Sequence, residues 1–221
     1  MNIITKQFKD LKLKYDLSKI APLEDILFLD IETTGFSAAS TTLYMIGCAY
    51  FRHNQWNIVQ WMAEDYSEEA DVIDAFFEFA ADFDFLIHFN GSNFDIPFLT
   101  QKCEALGLPY NFDDMQGIDL YKRISPYKYF LRLPNCKQKT IEQFLGIERT
   151  DVFTGGELIS IYHDYVKLPT DFAEDNLFLH NSDDLRGMLS ILPTILASTV
   201  ENSKASVVFM NLQSRITRLS T

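Results

Sequence analysis

Asp30 and Glu32 stand two residues apart at the end of the apolar run Asp25-Ile26-Leu27-Phe28-Leu29-Asp30-Ile31-Glu32. Side chains alternate along a strand, so both carboxylates project from one face, about 6–7 Å apart. Two acids that share one field and are partly withdrawn from water call for a cation or a raised pKa. Carboxylate oxygens with no Cys or His beside them favour Mg2+ or Mn2+ over zinc. A further acid, Asp95, follows the run Leu86-Ile87-His88-Phe89 and the turn cluster Asn90-Gly91-Ser92-Asn93, in the first turn of a helix. The helix N-terminus stabilises negative charge there. His180 and Asp184 enter the last helix four residues apart and so share one side of it, while Asp183 points elsewhere as a first-turn charge. Taken singly, each group has a plainer role: a strand-end pair that meets water, a helix cap, a surface contact.

The elements that would position these groups follow from periodicity. Residues 25–32, 43–51 and 56–62 read as strands of one meander, the last two joined by a hairpin turn at Arg52-His53-Asn54-Gln55. Ser67 is placed to cap a helix whose apolar face is Val72, Ile73, Phe76, Phe77, Phe79 and Ala80. A strand at 85–89 leads through the Asn90 turn into a helix from Phe94 to Leu106, ended by Gly107. A short strand at 118–120 follows. Helices are expected over 140–145, 157–166 and 182–198, with Pro193 set to kink the last. Strands first, then strands alternating with helices, make an α/β domain with a mixed sheet of five strands.

The 221 residues are 47% hydrophobic and 23% charged, a composition that excludes disorder and low complexity and suits one domain. The first residues show no signal-peptide pattern, and no apolar run approaches the ~18 residues of a membrane span. Cys48, Cys103 and Cys136 have neither CxxC spacing nor neighbouring histidines, so the expectation is a reducing, cytoplasmic setting with no membrane association. The net charge of −12 opposes any grip on nucleic acid by charge alone. An enzyme that gathers carboxylates around bound cations is acidic by count all the same.

Taken together, FLDIETTGF, YMIG, FNGSNFDIPFL, IDL, IEQFLGIERTDVFTG and LHNSDDL resemble the DEDD superfamily of 3′→5′ exonucleases. More specifically they look like the YprB-like ribonuclease H-like domains, in order, over about residues 25–197. The resemblance implies an RNase H-like mixed five-stranded sheet flanked by helices. It divides the chain into an N-terminal lead-in (1–24), an RNase H-like exonuclease domain (25–198) and a C-terminal tail (199–221). It implies that Asp30, Glu32, Asp95 and Asp184 bind two divalent cations, Mg2+ or Mn2+, and that His180 takes the general-base position. Two such ions can clamp the attacking and leaving oxygens of a phosphodiester, and an imidazole can take a proton near neutral pH. The His180–Asp184 spacing of four is that of YprB-like domains. Thr154-Gly155 and Ile159-Ser160 stand where those domains tend to have Pro-Gly and Ile-Pro.

The expected substrate is single-stranded DNA or RNA. Between Leu120 and Ile141 lie Lys122, Arg123, Lys128, Arg132, Lys137 and Lys139 with no acid, interleaved with Tyr121, Tyr127, Tyr129 and Phe130. Cations that track phosphates beside rings that stack on bases suit single strands, although a basic loop with packed tyrosines reads equally well. Lys122, Arg123 and Lys128 are the expected phosphate contacts, with Thr33, Gly35, Phe36, Asn90 and Asn93 completing the substrate site. Phe36 is placed to wedge against a terminal base. Asp119 reads as a supporting acid or a cap; His53, His88 and His163 lack partners at ligand spacing. A haloacid-dehalogenase-type phosphatase is superficially similar through FLDIETTG, but Glu32 stands at its second aspartate and no helix supplies its lysine. A non-catalytic RNase H-like module that binds nucleic acid or a partner protein is the remaining alternative.

Overall fold

The computed structural model describes residues 1–8 and 17–200. Lys9, Lys12 and Lys14 of the lead-in and Lys204, Arg215 and Arg218 of the tail lie outside the described residues. In chain order the elements are β1 (Asn2–Gln7), β2 (Ile26–Thr33), β3 (Leu43–Arg52), β4 (Gln55–Met62), α1 (Glu69–Ala80), β5 (Phe85–His88), α2 (Asp95–Leu106), β6 (Gln116–Asp119), α3 (Leu120–Ile124), α4 (Gln138–Leu145), α5 (Gly155–Lys167) and α6 (Asp171–Val200).

The strands form one sheet in the order β1-β4-β3-β2-β5-β6. The first four are antiparallel to their neighbours, and β2, β5 and β6 run parallel. The meander of β2, β3 and β4 is as expected, and so is its hairpin: His53 and Asn54 take φ of 55° and 64°, the left-handed values of a tight turn.

The sheet has six strands rather than five. The sixth, β1, pairs with β4 from Asn2↔Met62 to Gln7↔Asn57. Its residues are mostly exposed on both faces of an edge position, so it lacks the alternation that marks a half-buried strand.

The alternation of β2 sorts its residues between two cores. Leu27, Leu29 and Ile31 pack with the apolar faces of α1 and α2, through Val72, Ile73, Phe76, Phe98 and Leu99. Ile26 and Phe28 pack on the other face with Leu185, Met188, Leu189 and Leu192 of α6. Asp30 and Glu32 continue that second row, so the sheet aims both acids at α6. A third cluster joins Tyr44, Met45 and Met62 to Tyr162 of α5 and to Leu177 and Phe178 of α6.

Two helix starts differ from the sequence reading. Asp65, not Ser67, caps the turn before α1: its Oδ1 accepts the Ser67 N–H at 2.7 Å. The last helix begins at Asp171, so His180 and Asp184 lie in its interior rather than its first turn. The Asn181-Ser182-Asp183-Asp184 cluster reads locally as a helix start, but tertiary hydrogen bonds occupy the side chains of Asn181, Asp183 and Asp184. Pro193 lies inside α6, and Gly107 (φ 70°) ends α2 as expected. Among the described residues, no helix is long and apolar enough to cross a membrane.

Candidate active site

Three segments bring the proposed residues together at the C-terminal end of β2, where α/β sheets carry their sites. Asp30 and Glu32 come from β2. Asp95 opens α2, and its Oδ1 accepts the N–H of Ile31, the residue between the two β2 acids, at 3.3 Å. From α6, His180 Nε2 lies 3.3 Å from Asp184 Oδ2 and 4.0 Å from Glu32 Oε1. Donor atoms of Glu32, His180 and Asp184 all fall within 4.8 Å of one another. The Glu32 and Asp184 side chains keep 13% and 15% of their surface exposed, so the cluster is accessible from solvent.

The charges are unbalanced. Burial, then the fields of Asp184, Glu32 and Asp95, push Asp30 well above the usual carboxylate range. Burial, then Asp184 and Asp95, do the same to Glu32. Asp95 is pushed up to about 7, by burial first. In the metal-free protein, protons must offset this excess of negative charge. The donor set, hard oxygens with one imidazole, fits a divalent cation of the magnesium or manganese kind.

Behind the acids lie supports that the sequence reading did not single out. Asn181 donates from Nδ2 to Asp30 Oδ2 at 2.9 Å, and its Oδ1 accepts from Gln60 Nε2 of β4 at 2.8 Å. The side chain fits there because position 47 is glycine: a Cβ on Gly47 would lie 1.8 Å from Asn181 Oδ1. On the opposite side, Asp151 Oδ2 sits 2.7 Å from His180 Nδ1. Against the cost of burial, hydrogen bonds from Arg149 and Lys139 hold the Asp151 carboxyl well below the usual range.

Arg149 reaches three acids, with Nε 2.6 Å from Asp151 Oδ1 and Nη1 2.8 Å from Asp184 Oδ1 and 2.9 Å from Glu142 Oε2. Asp183, expected to be a first-turn charge, instead accepts the N–H groups of Thr150 and Asp151, pinning this loop to α6. The available signal was on α6, where His180, Asn181 and Asp184 extend the buried apolar stripe of Leu177, Phe178, Leu185 and Met188. A polar cluster on an otherwise buried helix face needs partners.

The remaining expected residues surround the acids unevenly. Thr33 donates its hydroxyl to Gly35 O at 2.7 Å, and a Cβ on Gly35 would meet Thr41 Cγ2 at 2.7 Å, so this turn is tight. Phe36 is 92% exposed and lies edge-on to Phe94. Asn90 takes a left-handed φ of 62° and accepts from Asn93 Nδ2 at 2.8 Å. Asp119 is a cap: it accepts from Tyr121 N and from Asn90 N, which ties the Asn90 turn to β6 and α3. Lys122 and Arg123 are exposed on the last turn of α3, and Lys128 lies over the Tyr129 ring. Lys139 is paired with Asp151 and is part of the loop's internal network. His88 is buried and accepts the Gly91 N–H, and His163 meets the Tyr66 hydroxyl.

A mixed sheet in this order, with acids gathered at the end of its central strand, defines an α/β protein of RNase H-like fold. The chain belongs to the RNase H superfamily, whose family model matches residues 27–195. Among solved structures, it is similar to the family B DNA polymerase from the hyperthermophilic archaeon Pyrobaculum calidifontis, with a TM-score of 0.65 and 18% sequence identity. The match covers 78% of this chain and 24% of the polymerase chain, and at that identity the likeness is one of fold. No curated protein matches the chain.

Proposed function

We propose that the protein is a divalent-metal-dependent nuclease of the DEDD, YprB-like type that removes nucleotides from 3′ ends of single-stranded DNA or RNA. One observation carries the reading: Asp30, Glu32, Asp95 and Asp184, from three distant segments, share one half-buried field beside His180. Superfamily membership supports nuclease chemistry in general. The free cysteines suit a cytoplasmic setting.

The four acids would hold two cations, and bound there the cations would supply charge stabilisation to the phosphodiester oxygens and acidify a water. The chain's own groups then have defined work. His180 donates its Nδ1–H to Asp151, which leaves the Nε2 lone pair facing Glu32 and Asp184 and able to accept a proton from water. Asp151, kept anionic by Arg149 and Lys139, orients the ring and stabilises the imidazolium that results. Arg149 holds Asp184 through Oδ1 while His180 faces Oδ2. Asn181 fixes one oxygen of Asp30. Thr33, Gly35, Phe36, Asn90 and Asn93 receive the 3′-terminal nucleotide, and Lys122, Arg123 and Lys128 contact phosphates further along the strand.

The test is hydrolysis of oligonucleotides labelled at the 5′ or the 3′ end, with Mg2+ or Mn2+, by wild type, Asp30→Ala and Asp184→Ala. A ladder from 5′-labelled strands and immediate release of the 3′ label, in wild type alone, are expected. Internal cuts would contradict the exonuclease direction, and metal-dependent activity retained in both variants would contradict the site.

A further inference from the structure

A cavity of about 580 Å3 opens between the Asn90 turn, α3 and the start of α4, lined by Phe89, Asn90, Tyr121, Lys128, Cys136 and Lys137 among others. It lies within the ~300–1,000 Å3 range of ligand sites. We propose that this groove binds one nucleotide unit of the single strand whose end is hydrolysed at the acid cluster, taking its base against the Phe89–Tyr121 pair and its flanking phosphates on Lys128 and Lys137. The inference rests on the nuclease reading and extends it from the reacting end to the strand behind it.

Three observations point to that ligand. The first is charge: no acid lines the groove in a chain of net charge −12, and two lysines do. Of the basic residues between Leu120 and Ile141, Lys139 is paired with Asp151, and Lys122 and Arg123 are not among the lining residues. The sequence pattern marks the right segment, but the fold selects Lys128 and Lys137 from it.

The second is the aromatic pair. Phe89 and Tyr121 meet edge to face at 6.2 Å, and both are half-buried, so they offer a fixed apolar surface to a flat ring. Stacking on such a surface is tolerant of sequence and needs an unstacked base, which a single strand supplies and a duplex does not. Amide groups of Asn90 and Asn135 stand beside it, able to pair with base edges or phosphate oxygens, and Gln138, whose Nε2 is engaged by Glu142 and Asp184, offers its Oε1 as an acceptor. The Asn135 Oδ1 accepts from Lys137 N and Thr140 Oγ1, which fixes that amide on the rim.

The third is continuity with the reacting centre. Gln138, a lining residue, donates from Nε2 to Asp184 O at 2.7 Å. Asn90, also a lining residue, sits in the turn that leads into Asp95. The groove thus borders the two segments that carry Asp184 and Asp95.

Cys136 provides the test, because it lines the groove and is partly exposed while Cys48 and Cys103 are buried. The rate of maleimide labelling of Cys136 is measured by mass spectrometry on the full chain in EDTA. The conditions compared are no addition, a single-stranded 12-mer, the blunt duplex of the same sequence, and inorganic polyphosphate. Binding of each is followed in parallel by fluorescence anisotropy. Saturating single strand should slow labelling at least tenfold, the duplex and polyphosphate should slow it less than twofold, and Lys128→Gln/Lys137→Gln should abolish protection, each rate being taken relative to that of the same protein without nucleic acid. A 12-mer that binds, or is hydrolysed once metal is added, without protecting Cys136 overturns the groove and leaves the nuclease reading standing. A 12-mer that neither binds nor is hydrolysed overturns both. Protection by polyphosphate equal to that by the 12-mer overturns the base-binding half of the proposal.

Discussion

In the proposed metal centre, protons would compete with divalent cations for Asp30, Glu32 and Asp95, and the direction of that competition follows from the raised proton affinities. All three carboxyls titrate higher in the folded protein than in the unfolded chain, where such groups lie near 4. The folded state therefore binds more protons across the interval from about 4 to the folded value, about 7 for Asp95. The contribution of these three groups to stability without metal is greatest below that interval and falls as pH rises through it. A cation that replaces the protons restores it, so the thermal shift produced by Mn2+ should grow from pH 5.5 to pH 8, measured by differential scanning fluorimetry against EDTA. A shift independent of pH would show that these acids do not hold the ion. On the other side of the centre, Asp151→Asn keeps the shape but loses the charge that orients His180. A fall in kcat of about 10–100-fold with KM little changed is expected, the usual cost of removing an outer partner. A change in KM alone would assign Asp151 to substrate binding instead.

Among the elements, those with strong period were legible and those held by distant partners were not. The rows of β2, β3 and β4 alternate between two cores, and Gly107 marks the end of α2, so sequence alone locates them. β1 escapes because an exposed edge strand carries no alternation. The start of α6 escapes because Asn181 and Asp183 carry turn chemistry whose real partners, Asp30 and the 150–151 backbone, are far away in the chain. Type and spacing drew attention to the acids of the proposed site one by one, and only the family resemblance joined them. Gly47, Arg149 and Asp151 lie in stretches that carry the family resemblance and Gln60 in none, but the roles of all four stayed hidden because their partners are far away in the chain. Gly47 gives the clearest test of how the elements set the site. Its missing Cβ is the space that Asn181 occupies between β3 and β2, so Gly47→Ala must move Asn181 off Asp30. A loss of about 1–3 kcal/mol, as for other overpacked positions, is expected by chemical denaturation, together with weaker Mn2+ binding. Gly155→Ala, where an added Cβ meets nothing, should be neutral or slightly stabilising. Equal effects at both positions would contradict the packing argument.

For the whole molecule, the issue is how a chain of net charge −12 approaches a polyanion. Of its 31 acids, Asp30, Glu32, Asp95 and Asp184 stand at the proposed centre, where bound cations would offset them, and the basic groups of α3 and the groove supply the positive charge. Few phosphates are engaged, so affinity should depend only modestly on salt. With Lys122, Arg123, Lys128 and Lys137 as contacts, a slope of log K against log salt no steeper than about −3 is expected for a single strand. A slope near −6 would require a basic surface that the described residues do not provide. Such weak electrostatic capture leaves recognition to stacking and to the centre itself.

The most direct measurement is Mn2+ binding by isothermal titration calorimetry to wild type and to Asp30→Ala, Glu32→Ala, Asp95→Ala and Asp184→Ala, each checked for folding by circular dichroism. Wild type should bind Mn2+ saturably, and every folded variant should lose at least tenfold in affinity or lose a site. Wild-type affinity in any one of the four variants would contradict a shared metal centre built from these carboxylates.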